Sequence, residues 1–155
     1  MVWLQRLVQE LYHILYNDEH PDGNTSFTAG HTKGVVLGDR TTTVWMIHSV
    51  PHHPPRPTDG YSYPHSGHMY GQTYLCLTLP TDQVANKVGT QLTYNHPYIY
   101  STSTPDWLAD YPKMMSAAQG RHIRKAPYFH VANIPTIAGV HVTTFAKYTL
   151  FGKVI

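Results

Sequence analysis

The sequence predicts an α/β fold in which a mixed β-sheet is flanked by helices. Three observations carry that prediction. Short runs of β-branched and apolar residues, Thr32 to Leu37, Thr43 to Val50 and Tyr74 to Leu79, are set apart by polar turns, as strands are. A stretch opening at Thr81 puts Val84, Val88 and Leu92 on one helical face. The 155 residues are 41% hydrophobic and only 13% charged, which allows a core and excludes a charge-rich disordered segment.

Along the chain, Val2, Leu4, Leu7, Val8 and Leu11 fall near helical spacing, while Leu11 to Tyr16 reads equally as a strand entering the turn Asn17-Asp18-Glu19. Residues 17–30 are polar, with Pro and Gly, and read as loop. Thr32 to Leu37 and Thr43 to Val50 form an expected antiparallel hairpin around the turn Asp39 to Thr42. Five prolines between Pro51 and Pro64 make residues 51–68 a long irregular loop, a kind that is commonly functional or disordered. Tyr74 to Leu79 is the next strand, and Thr81 can cap the helix after it. Trp107 to Met115 is expected to be helical and broken by Pro112, and Phe129 to Ile134 and Val140 to Phe145 are two final strands. There is no internal repeat, and the whole of 1–155 reads as one partial domain ending on an apolar Phe151 to Ile155.

The formal charge is +2 with histidines neutral, too small to announce a polyanion partner. The chain nevertheless holds 12 histidines. Protonating all of them would raise the charge by twelve, to +14, so affinity for a phosphate backbone is expected to grow in acid. Residues 1–16 interrupt their apolar run with Arg6, Glu10 and His13, and no small-residue cleavage site follows, so no signal peptide is expected. No stretch approaches the roughly 20 apolar residues of a membrane span. Cys76 is the single cysteine, which excludes an intrachain disulfide, and it reads as a small buried hydrophobe. Asn24-Thr25-Ser26 fits a glycosylation acceptor.

The chemistry concentrates in Gly30-His31-Thr32-Lys33-Gly34-Val35-Val36-Leu37. Residues two apart in a strand share a face, so His31 and Lys33 point the same way. An imidazole can attack phosphorus or move a proton. A fixed ammonium beside it neutralises a non-bridging oxygen as charge builds. With an even-numbered turn, His48 lies opposite Lys33 or Val35, on the face of His31. The competing reading of the same pattern is a solvated strand face that happens to carry His and Lys. His52, His53, His65 and His68, in or beside the long loop, can touch DNA or are plain surface residues. They are dense enough to catch Zn²⁺ adventitiously, but no physiological metal or cofactor is expected. Arg121, His122, Arg124 and Lys125 form a basic cluster open to the same two readings.

Gly30-His31-Thr32-Lys33-Gly34-Val35-Val36 resembles the signature segment of the deoxyribonuclease II family. Other segments of the family follow in the same order: Leu15-Tyr16-Asn17-Asp18, His48-Ser49-Val50-Pro51, Tyr63-Pro64-His65-Ser66, Tyr70 to Cys76, Gln91-Leu92-Thr93-Tyr94 and Phe145-Ala146-Lys147. The resemblance implies one half of a phospholipase D-like two-lobed fold, in which each lobe gives a His-x-Lys motif to one site. It implies an acid endonuclease acting on DNA without a metal. One histidine attacks phosphorus, a second protonates the leaving 5′ oxygen, and a 3′-phosphate end results. His31, Lys33 and His48 map onto catalytic positions, and His65 and Gln72 onto substrate-binding ones. A lysosomal or secreted location is implied too. The chain departs from the pattern in that only His31 has a lysine two residues on, and in lacking the family's leader and early cysteine, to which the position of Cys76 is tied. Asp39 follows Lys33 one residue too late for the acidic position of phospholipase D-like motifs. The expectation is therefore a chain that completes its site with a missing C-terminal half or with a second copy, as a homodimer, or that is inactive or only a DNA-binding fragment.

Overall fold

A computed structural model describes residues 10–152. The helical spacing of Val2 to Val8 lies outside the described residues. The elements are β1 Tyr12–Asn17, β2 Lys33–Gly38, β3 Thr42–His48, a one-turn α1 Ser66–Met69, β4 Tyr74–Pro80, α2 Thr81–Asn95, β5 Ile99–Ser103, a 3-10 turn Asp106–Asp110, α3 Pro112–Ala118, β6 Phe129–Pro135 and β7 His141–Lys147. Five strands make one sheet in the order β4-β3-β2-β1-β5, and β6 pairs with β7 as a separate ribbon.

Every pairing in the large sheet is antiparallel, so the expected mixed sheet is corrected. β1, between β2 and β5, runs against both neighbours. The expected β2–β3 hairpin is present with Gly34 opposite Ile47 and Gly38 opposite Thr43. Asp39 Oδ1 closes its turn by accepting the N–H groups of Thr41 and Thr42 at 2.7 and 2.8 Å.

Strand alternation gives the sheet two unlike faces. Tyr12, Ile14, Tyr16, Val36, Trp45, Leu77 and Leu79 form the inner face and pack with Val84, Ala85, Val88 and Leu92 of α2 and Met114 and Ala117 of α3. Burying each Val, Leu, Ile or Met side chain among them contributes about 1.5–3 kcal/mol. Both longer helices therefore cover one face of the sheet. The opposite face carries Asn17, Lys33 and His48 near one end, and Val35, Leu37, Val44, Met46 and Cys76 along the rest, partly exposed. Cys76 is free and exposed, not buried, because β4 is an edge strand and Cys76 points away from the helices.

Two further expectations change in the structure, and one strand is added. Thr81 is the first helical residue, and it ties α2 to the hairpin: its Oγ1 donates to the Asp39 carbonyl at 2.9 Å and meets Thr43 Oγ1 at 2.9 Å. Pro112 opens α3 where it was expected to break a helix, since a residue at the first helical position needs no N–H partner. β5, at the other sheet edge, has no strong counterpart in the sequence pattern because its side chains are polar and half exposed.

Candidate active site

β1 and β2 pair with Asn17 opposite Lys33. That register brings the residues just past β1 beside those just before β2. Asp18 is buried there and binds both halves of the His-x-Lys motif. Its Oδ2 lies 2.6 Å from His31 Nδ1, and its Oδ1 accepts from Lys33 Nζ at 2.5 Å. Glu19 adds a second carboxylate 3.2 Å from Lys33 Nζ. Lys33 is 4% exposed, yet its ammonium has two acidic partners. Two partners leave the third N–H available to a ligand.

His31 contrasts with Lys33. Its side chain is 83% exposed. In a neutral ring so held, Nδ1 carries the proton and donates it to the Asp18 carboxylate, which leaves the Nε2 lone pair on the outer side. Gly30 sets this loop against the end of α2: its N–H donates to the His96 carbonyl at 2.8 Å, and a Cβ on Gly30 would fall 1.9 Å from the Asn95 carbonyl oxygen. No side chain fits there.

The β2–β3 register, carried one step past Gly34 and Ile47, places Lys33 opposite His48. His31, Lys33 and His48 line one pocket of about 230 Å³ together with Thr32, Ile47 and Ser49. His48 is buried and accepts the Val50 N–H at Nδ1, at 3.2 Å. A neutral ring so bound carries its proton on Nε2, and that atom has no partner. Desolvation pulls the His48 pKa down to about 4, with the charges of His53 and Lys33 pushing the same way. His48 is therefore a neutral N–H donor in mild acid.

His53 is also buried, with its ring 5.8 Å from that of His48 and an unpartnered Nδ1. Burial lowers its pKa. Asn17 holds this segment by donating Nδ2 to the carbonyls of Val50 and His53, at 3.0 and 2.9 Å. The His52 N–H donates to the Glu19 carbonyl at 2.9 Å, so the start of the proline-rich loop is stitched to the turn that bears Asp18.

Of the expected substrate-binding residues, Gln72 accepts from Ser49 Oγ at 2.5 Å and so stands beside the pocket. His65 does not line it. It lies outward along a chain of rings from His53 through Tyr63 to His68. Among the described residues, no three His, Cys, Asp or Glu side chains group closely enough to hold a metal ion. Asn24 is exposed. The roles of Asp18, Glu19, Asn17 and His53 were missed in the sequence. The available signal was the pairing of β1 with β2, which carries an acid 15 positions from Lys33 to within a hydrogen bond of it.

A family model described as Deoxyribonuclease II matches residues 4–155. Deoxyribonuclease-2 of Caenorhabditis elegans is 38% identical over 88% of this chain and 43% of its own length. Deoxyribonuclease-2-alpha of Bos taurus is 35% identical over 92% of this chain and 40% of its own. Plancitoxin-1 of Acanthaster planci is 34% identical, again over 92% of this chain and 40% of its own. The chain thus spans about two fifths of the length of the curated relatives it matches.

Proposed function

The chain belongs to the deoxyribonuclease II family, and from that premise we propose that it carries the nucleophilic half of a site that hydrolyses DNA phosphodiesters to 3′-phosphate ends without a metal. The observation that supports this reading best is the Asp18 bridge between His31 and Lys33 beside the neutral His48. Asp18 orients the His31 ring and, in the neutral tautomer, fixes the proton on Nδ1, so that the exposed Nε2 offers its lone pair to phosphorus. The P–Nε2 bond forms as the bond to the leaving 5′ oxygen breaks, and water later displaces the histidine to release the 3′-phosphate. Lys33 and the Nε2–H of His48 face the charge that builds on the non-bridging oxygens. The leaving oxygen needs a proton from the far side of the phosphorus. His48 shares the pocket wall with Lys33, so a second histidine from another segment fits that task better.

That segment belongs to the remainder of a longer protein or to a second copy of this chain. The uncovered sheet face with Val35, Leu37, Met46 and Cys76, together with exposed Tyr74 and Leu75 on the β4 edge, favours some partner over a bare monomer. No helix among the described residues is long and apolar enough to cross a membrane, and a lysosomal or secreted setting is part of the proposal.

Plasmid nicking at pH 5 in chelator, with sedimentation of the same sample, tests the reading. The monomer is expected to nick marginally. Co-expression with a family C-terminal half should restore cleavage, His31→Ala should abolish it, and Lys33→Ala should cut it severely. Efficient nicking by the monomer that survives His31→Ala would overturn both the nucleophile and the half-site.

A further inference from the structure

On the far side of His31 lies a larger pocket of about 580 Å³. Its walls are the Gly30–His31 loop, the end of α2 at Asn95 and His96, and the end of β7 with the turn after it. No carboxylate lines it. Lys147 is exposed on its wall and has no ion-pair partner among the described residues. His96 packs against His122 in a tilted pair with ring centroids 3.9 Å apart, and His122 lies nearly parallel to Tyr148 at 5.6 Å and 12°. His122 belongs to the exposed segment that also holds Arg121, Arg124 and Lys125, so these ring contacts join the basic cluster to the pocket. At the mouth, Phe145 is 78% exposed and has no stacking partner among the described residues. The catalytic chemistry uses none of these groups.

An anion-friendly wall and open aromatic faces, next to a phosphodiester-cleaving histidine, suit a nucleic acid strand. Phosphate is held by the cation, and a base covers the ring. The pocket size falls in the range of small-ligand sites, roughly 300–1,000 Å³. We propose that this pocket holds the nucleotide next to the phosphodiester at His31, with Lys147 on its phosphate and Phe145 stacked on its base. The inference rests on the reading of His31 as the phosphodiester site. It adds a base-contacting subsite, so substrate is gripped by stacking as well as by charge.

The test uses the intact chain, a short oligothymidylate and the matching abasic deoxyribose-phosphate oligomer, with histidine ring NMR resonances and fluorescence anisotropy as readouts. Oligothymidylate should move the His31, His96 and His122 resonances together. Phe145→Ala should weaken it about five-fold or more, and leave the abasic oligomer unchanged. Lys147→Ala should weaken both. Both side chains are exposed, so neither change threatens the fold. If His31 moves while His96 and His122 stay still and both variants bind like the parent, the subsite is refuted and the cleavage site stands. If His31 does not move either, the reading of His31 fails along with it.

Discussion

Asp18 decides how the rest of the site behaves, because one carboxylate serves an exposed histidine and a buried ammonium at once. Asp18→Asn keeps the shape, but it offers His31 an amide in place of a carboxylate and leaves Lys33 with Glu19 alone. Cleavage by the completed enzyme is expected to fall about a hundredfold or more, through loss of ring orientation. Stability should drop by about 3 kcal/mol or less, since a buried charge that loses one of two partners is partly compensated. Nicking assays and urea unfolding check the two effects, and unchanged cleavage would remove Asp18 from the site. His48 makes a second prediction at this scale. An unfolded histidine titrates near 6.5, whereas His48 in the fold is held down to about 4. Between those values the unfolded chain takes up a proton that the folded chain refuses. Stability is thus full above about pH 6.5 and declines as pH falls toward 4, by on the order of 3 kcal/mol at most. His48→Gln, which cannot titrate, should flatten that part of the stability–pH curve; an equally steep curve would count against the burial argument. Lys33 and His48 were legible in the sequence because strand alternation and a four-residue turn fix which way they point; His31 lies ahead of β2, and its direction is set by Asp18 and not by strand alternation. Asp18 was not legible, since its position depends on a strand whose sequence reads equally as helix.

At the scale of elements, α2 is the pivot. It meets α3 at Gly89, and it meets the β6–β7 ribbon through Lys87 and Gln91, which donate to the carbonyls of Asn133 and Thr144 at 3.1 and 3.0 Å. Residues two apart stand about 200° apart around a helix, so one helix serves two neighbours on different sides. A Cβ on Gly89 would lie 2.4 Å from the Lys113 carbonyl carbon and the Met114 nitrogen, both backbone atoms that cannot rotate away. Gly89→Ala gains about 1 kcal/mol of helix propensity but must push α3 outward, which costs about 1–3 kcal/mol. A lower urea midpoint with an unchanged slope is expected, and a more stable variant would show that the two helices can part freely. The hairpin, β4 and α2 were readable because their apolar residues repeat at strand or helix spacing. β5 was not, because an edge strand with half-exposed polar side chains has little periodicity to read. The direction of β1 and β5 was also hidden, since it depends on which strands become neighbours, and neither strand joins its sheet partner through a short turn.

For the molecule as a whole, acid acts in two opposed ways. Burial lowers the pKa of His13, His20, His48, His53 and His96. The charge gained on acidification therefore falls short of the twelve that free histidines would add, and each histidine held neutral lowers stability in acid relative to the unfolded chain. Any charge that does accumulate favours DNA, and every additional phosphate contact steepens the salt dependence by roughly 0.7–0.9 in the log–log slope. A ligand that binds only the folded state returns stability in proportion to its affinity. DNA should accordingly matter most where the free chain is weakest. Without DNA, Tm should fall from pH 7 to pH 5. A saturating oligonucleotide should raise Tm more at pH 5 than at pH 7, and added salt should erase most of that difference. Thermal melts at the two pH values, with and without oligonucleotide and at low and high salt, decide the matter. An equal Tm increment at both pH values would show that histidine charge does not couple DNA binding to the fold.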